Sequence, residues 1–373
     1  MTDQRRDSPD PIQIGTARSR PGQLAYGVFD AVKLPTGEMD AFPVIIAQGT
    51  QPGPVLWLTA NIHGSEYDGL AAIHRLLEPE LVEQLAGTVV AIPTLSPAGL
   101  RTGERSPYYL RGKDPNRLFP GADFDNSDDA HHPTALEMAY ARLFERIQAT
   151  ADYLIDLHDY GASAIPFAFR DPVLYRTPRD KAVAQKLQKT VGAMLDALGL
   201  TVVNEYVSDE YLKMSLHRSV SGAALNTARI PAVTVEIGGQ RMVNVAHVQA
   251  VVTGIRNVMR WAGMLPGPRE PITGVQVVDL GYPVRRTTHP RVPQACIVQH
   301  LVQPGDTVRA GDPLARMVDI YGRPTGSDNG LLRSSYDGFV IGLFPGIAFY
   351  PNDAILGLAI RDDSELIIQV PQR

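Results

Sequence analysis

Apolar residues follow two rhythms over the first two thirds of the chain. Short unbroken runs at 55–60, 88–94, 153–157 and 232–237 read as strands buried on both faces. Between them the apolar positions take helical spacing. One helix is predicted from near Asp68, with Leu70, Ile73, Leu76 and Leu77 on one face, and others over roughly 178–198 and 245–263. A further helix runs from Pro133 to about Ala149, where Thr134 and Glu137 stand at capping-box spacing. Residues 24–48 alternate short apolar runs with turn residues such as Pro35-Thr36-Gly37, the pattern of edge strands. This alternation predicts an α/β fold, a mixed and mostly parallel sheet flanked by helices.

The rhythm stops at the Pro/Gly-rich stretch 265–271, and no helical period follows. Instead the text repeats itself. Pro304-Gly305, Val308, Gly311-Asp312, Leu314 and Met317 return 41 residues later as Pro345-Gly346, Phe349, Asn352-Asp353, Ile355 and Leu358. Asn352 in the place of Gly311 keeps a residue that tolerates positive φ. Two such units predict a small β barrel-sandwich, similar to the domains that carry biotin or lipoate. No lysine stands at the expected hairpin tip, Asp337-Gly338, so a structural or access-limiting role is expected. The predicted organisation is a loose tail over 1–20, a catalytic α/β domain over 21–265, and a linker with a β domain over 266–373.

Composition narrows the function. The 373 residues carry a formal charge of −5, with a pI near 6.0 and no basic stripe, so nucleic acid is excluded as a partner. The single cysteine, Cys296, rules out an intramolecular disulfide framework and a cysteine-built zinc site. The first residues are polar, without an apolar signal core, and no run approaches bilayer length. A cytoplasmic protein without membrane contact is expected.

Chemistry concentrates at the predicted strand ends, where open α/β sheets bind ligands. His63-Gly64-Ser65-Glu66 follows the run at 55–60, and His158 ends the run at 153–157. Two histidines and a carboxylate make a three-ligand set of the kind that leaves catalytic zinc one open position. Glu236 closes the run at 232–236 before Gly238-Gly239, and a charge there is costly unless paired or used. Asp114-Pro115-Asn116-Arg117 supplies an arginine and an amide suited to a carboxylate, and an aspartate that can hold a ligating histidine by its second nitrogen. Ser96-Pro97-Ala98-Gly99 reads as a turn feeding a long loop. His131-His132 behind Asp123, Asp125, Asp128 and Asp129 reads as a solvated acidic loop rather than a second metal site. His217 and the tyrosines at 108, 109, 160 and 211 are further candidates to line a pocket.

H-x-x-E, S-P-A-G, D-x-N-R-x-F-P-G, D-L-H and V-E-I-G in this order resemble the succinylglutamate desuccinylase/aspartoacylase family, which belongs with the zinc carboxypeptidases in fold and metal site. The resemblance runs from about residue 40 onward, and the tail resembles the C-terminal β domain of the longer bacterial members. It implies one zinc ion per chain held by His63, Glu66 and His158, with Glu236 as general base and acid. It also implies a substrate carboxylate held by Asn116 and Arg117, His63 supported by Asp114, and a carbonyl polarised by Arg105 or Arg111. The implied activity is hydrolysis of a non-peptide amide, that of an N-acyl amino acid or related small molecule, in a homo-oligomer. A metallocarboxypeptidase and a non-catalytic binding protein are the alternatives. Aspartoacylase-like members carry a carboxylate-binding arginine about ten residues before the catalytic glutamate. Residues 223–227 hold none, which leaves the acyl group open.

Overall fold

The computed structural model describes residues 11–121 and 132–370. One large sheet organises them. Its strands are β1 (Gln23–Lys33), β2 (Met39–Gln48), β3 (Gln51–Ala60), β4 (Ala86–Ile92), β5 (Tyr153–His158), β6 (Phe167–Arg170), β7 (Thr201–Asn204), β8 (Ala232–Glu236), β9 (Val284–Thr287), β10 (Thr307–Val308), β11 (Gly338–Leu343) and β12 (Leu356–Arg361). They lie in the order β10-β11-β12-β9-β7-β6-β8-β5-β3-β4-β2-β1, and the short strand Ser163–Ala164 pairs with β11 off that path. The centre, β4-β3-β5-β8, is parallel, as are β6-β7-β9. Antiparallel pairs stand at both edges. Helices α1 (Asp68–Leu76), α2 (Ala135–Thr150), α3 (Pro178–Leu198) and α4 (Val245–Trp261) flank the sheet.

Local chemistry explains the elements that the pattern predicts. Leu56, Trp57 and Leu58 in β3 are consecutive and all buried, because both faces of a central parallel strand are covered. The Thr134 hydroxyl accepts the Glu137 N–H and Glu137 accepts the Thr134 N–H, which closes the capping box of α2. Residues 13–18, expected within a loose tail, form a small hairpin instead, pinned by burial of Ile12, Ile14 and Ala17. The periodicity passes over β6 and β7, four residues each. It also passes over the helix Val220–Asn226, which is buried over most of its length and so shows no amphipathic stripe. Among the described residues no helix is long and apolar enough to cross a membrane.

The C-terminal repeat is visible in three dimensions. Gly305 and Gly346 share positive φ, as do Gly311 and Asn352. Val308 and Phe349, Leu314 and Ile355, and Met317 and Leu358 are buried in one apolar cluster. Yet β9 to β12 also extend the main sheet, through pairing of β9 with β7. A further apolar cluster joins the two regions around Tyr160, Phe167, Phe339 and Ile341. Tyr160 follows β5 and packs edge-on against Phe167, at 5.4 Å between ring centroids. Its hydroxyl reaches over Gly357 of β12, where a Cβ would lie 2.3 Å from the oxygen. Gly357→Ala should therefore lower stability by about 1–3 kcal/mol through overpacking, read as an earlier denaturant midpoint. An unchanged midpoint would mean that Tyr160 is free to move.

Candidate metal and substrate site

Parallel register assembles the site. His158 of β5 pairs directly with Glu236 of β8, and Thr59 of β3 with Asp156 of β5, so the carboxyl ends of three strands stand level. Beyond β3 the chain turns through Asn61 at φ 51°, a conformation that asparagine tolerates. The Asn61 amide donates to the carbonyls of His63 and Glu66, and its oxygen accepts the Thr94 hydroxyl. This buried asparagine shapes the His63–Glu66 loop and was not among the residues read from sequence. Gly64 is required by packing, since a Cβ there would lie 2.0 Å from the carbonyl carbon of Gly99. Gly99 belongs to a short helix, Pro97–Thr102, where the sequence suggested only a turn.

His63, Glu66 and His158 converge with their ligand atoms within 4.8 Å of one another, all buried. The Glu66 carboxylate lies between the two rings, 2.8 Å from His63 Nδ1 and 2.9 Å from His158 Nδ1. The opposite nitrogens are held by acids, His63 Nε2 at 3.0 Å from Asp114 and His158 Nε2 at 2.8 Å from Asp156. Asp156 in turn accepts the Thr59 hydroxyl. A carboxylate on the far nitrogen fixes the tautomer that leaves Nδ1 free as a metal donor. The donor set and its surroundings therefore fit a divalent ion. Burial alone would raise the Glu66 carboxyl, but the two imidazoles outweigh it and hold the group well below the usual carboxylate range. Asp114 is likewise desolvated and likewise held low, by His63 and then by Arg105 and Arg117.

Around this centre lies a cavity of about 270 Å³. Glu236 lines it, buried, with Oε2 lacking a hydrogen-bond partner among the described residues. Burial pushes its carboxyl up to about 8, against the opposing pull of His158. Arg105 stands at the mouth, 2.9 Å from Asp114 and 3.5 Å from Glu66. Arg111 does not line the cavity. It ends the turn Tyr108–Leu110 in a left-handed conformation, exposed to solvent, so of the two arginines weighed for the carbonyl only Arg105 reaches the site. Arg117 lines the cavity, with Nε donating to the Met214 carbonyl and Nη1 to that of Asn116. The Asn116 oxygen accepts the Val220 N–H, which turns its amide nitrogen toward the cavity and to 3.3 Å from His158 Nε2.

Of the tyrosines considered, Tyr160 lines the cavity, while Tyr211 is buried behind it and donates to Asp171. Tyr109 donates to Asp40, and Tyr108 is exposed. Leu216 rather than its neighbour His217 lines the wall. The acidic segment at 123–131, including His131, lies outside the described residues. Asp156, Asp171, Glu205, Arg286 and Phe344 were missed by sequence reasoning. Of these, only Asp156 carries a local signal, the D-L-H spacing.

The model of the succinylglutamate desuccinylase/aspartoacylase catalytic domain matches residues 52–262. The chain belongs to this family. A curated relative, the N-alpha-acetyl-L-2,4-diaminobutyric acid deacetylase of Halomonas elongata, is 33% identical over 120 residues; the match covers 31% of this chain and 32% of the relative. Among solved structures, an aspartoacylase family protein of Mesorhizobium loti superposes with a TM-score of 0.70 at 17% identity, covering 96% of this chain and 100% of that one. The ectoine utilization protein EutE (DoeB) of Ruegeria pomeroyi gives 0.69 at 20% identity, with 94% and 98% covered. These superpositions bear on the fold, including the C-terminal β region.

Asp114→Asn should weaken metal binding about 10- to 100-fold, because His63 loses the charged partner that orients it. Competition with a chromogenic chelator measures this, and wild-type affinity in the variant would remove Asp114 from the metal centre.

Proposed function

We propose that this protein is a zinc-dependent hydrolase that cleaves the amide bond of a small N-acyl amino acid. The observation that carries the reading is the pair of buried histidines, each turning Nδ1 to Glu66 and resting Nε2 on a carboxylate, with the unpartnered Glu236 oxygen in the same cavity. His63, Glu66 and His158 would hold the zinc ion, which would supply Lewis acidity and lower the pKa of water toward about 7.

The side chains do the rest. Glu236 takes a proton from the attacking water and returns it to the amide nitrogen as the carbon–nitrogen bond breaks. The products are a free carboxylate and an amine. A carboxyl pushed up by burial is suited to both halves of that exchange. Arg105 donates to the carbonyl oxygen as negative charge develops; its position at the cavity mouth supports this role. Arg117, its guanidinium steadied by two backbone carbonyls, receives the substrate carboxylate and so orients the scissile bond. A cavity of about 270 Å³, walled on one side by Phe344 and Pro345 of the C-terminal region, favours a small acyl amino acid over a peptide chain. The deacetylase activity in the name of the Halomonas relative supports removal of an acyl group from an amino-acid nitrogen.

Glu236→Gln is expected to lower kcat by roughly 10²- to 10⁴-fold with zinc content unchanged, as read by metal analysis beside a mass-spectrometric assay over N-acyl amino acids. Near wild-type turnover would take the proton-transfer role from Glu236. Chelation should abolish hydrolysis and zinc should restore it. A protein that takes up no zinc would revive the non-catalytic alternative.

A further inference from the structure

Arg286 enters the cavity from outside the catalytic span. It sits on β9, which pairs with β7 at Asn204 and Arg285, so Arg286 comes to lie beside Glu205 and Tyr206. Its Nε is 2.6 Å from the Glu205 carboxylate. The guanidinium carbon lies 4.1 Å from the centre of the Tyr206 ring and 4.6 Å from that of Phe169. A planar cation lying over two aromatic rings is restrained in orientation. Among the described residues, none accepts a hydrogen bond from Nη1 or Nη2, and the side chain lines the same cavity as Arg117 and Glu236. Glu205 stands beside Nε as an ion-pair partner whose oxygen lies off the Nε–H direction, and the two-nitrogen edge is left over. Asp171 nearby is tied to the Tyr211 hydroxyl, and burial pushes its carboxyl up to about 7, so it contributes little negative charge below neutrality.

We propose that Arg286 is a substrate-binding residue, the carboxylate receptor that the C-terminal β region contributes to the active site, acting on the same carboxylate as Arg117. This rests on the deacylase reading and extends it. The C-terminal region then takes part in recognition rather than only limiting access. A guanidinium with two parallel N–H groups presented to a cavity matches a carboxylate bidentately, and Glu205 approaches the other end of the group, at Nε.

The test compares N-acetyl amino acids with their carboxamides, which remove the negative charge and keep the shape. For the zinc-loaded wild type, kcat/KM should favour the carboxylates. In Arg286→Lys, which keeps the pairing with Glu205 but loses the planar fork, and in the charge-balanced double variant Arg286→Met/Glu205→Gln, that preference should shrink about 10- to 100-fold, chiefly through KM. Zinc content and Tm should stay close to wild type. Glu205→Gln alone should retain the preference, which separates recognition from a structural ion pair. An unchanged preference in both Arg286 variants overturns the assignment and leaves the deacylase reading intact. Should the wild type hydrolyse none of the N-acyl amino acids assayed above, the deacylase reading falls. Calorimetry of the uncleaved N-acetyl amino acids then decides Arg286 by itself: carboxylate-dependent binding lost in the variants supports it, and its retention or absence overturns it.

Discussion

The structure depends on one buried carboxylate shared by two imidazoles. Glu66 is desolvated, and a charge in that position would be costly without His63 and His158 on either side. Two more acids, Asp114 and Asp156, stand behind the rings and prevent the histidines from turning away. The result is an array of alternating acid and imidazole running from Asp114 to Asp156. Such an array is self-consistent with the ring protons shared among the acids, and it presents three donors to a divalent ion.

The sheet makes that array possible. Three neighbouring parallel strands end at one level, so residues far apart in sequence meet without long side chains or strained loops. Close packing then removes freedom that the loops would otherwise have. Gly64 lies against Gly99, and Gly238 comes so near Asp68 that a Cβ would sit 2.5 Å from its carboxylate. The glycines that flank the functional residues thus serve contact between backbones as much as turning.

The C-terminal β region belongs to this architecture more closely than its change of pattern suggested. Its strands continue the sheet, Tyr160 is wedged over Gly357, and Phe344 and Arg286 form part of the cavity wall. An arginine has no room at 223–225, because those residues are buried in a helix against β8. A cation reaches the pocket by another route, through a strand some fifty residues beyond Glu236.

Sequence by itself determined the features that depend on local spacing. Apolar runs and helical periods predicted most of the sheet's core strands and the four long helices, and the ordered motifs marked His63, Glu66, His158, Glu236, Asn116 and Arg117. Those signals are legible because burial of both strand faces and the 3.6-residue period act over short stretches of chain. Tertiary structure alone decided which of Arg105 and Arg111 faces the His63–Glu66–His158 cluster, since a left-handed turn at Arg111 directs one outward. It also decided that Asp156 backs His158 and that Asn61 shapes the loop. The placement of Arg286 was beyond the sequence for the same reason. Strand pairing between β7 and β9 joins segments eighty residues apart, and no local pattern records a partner chosen by sheet order.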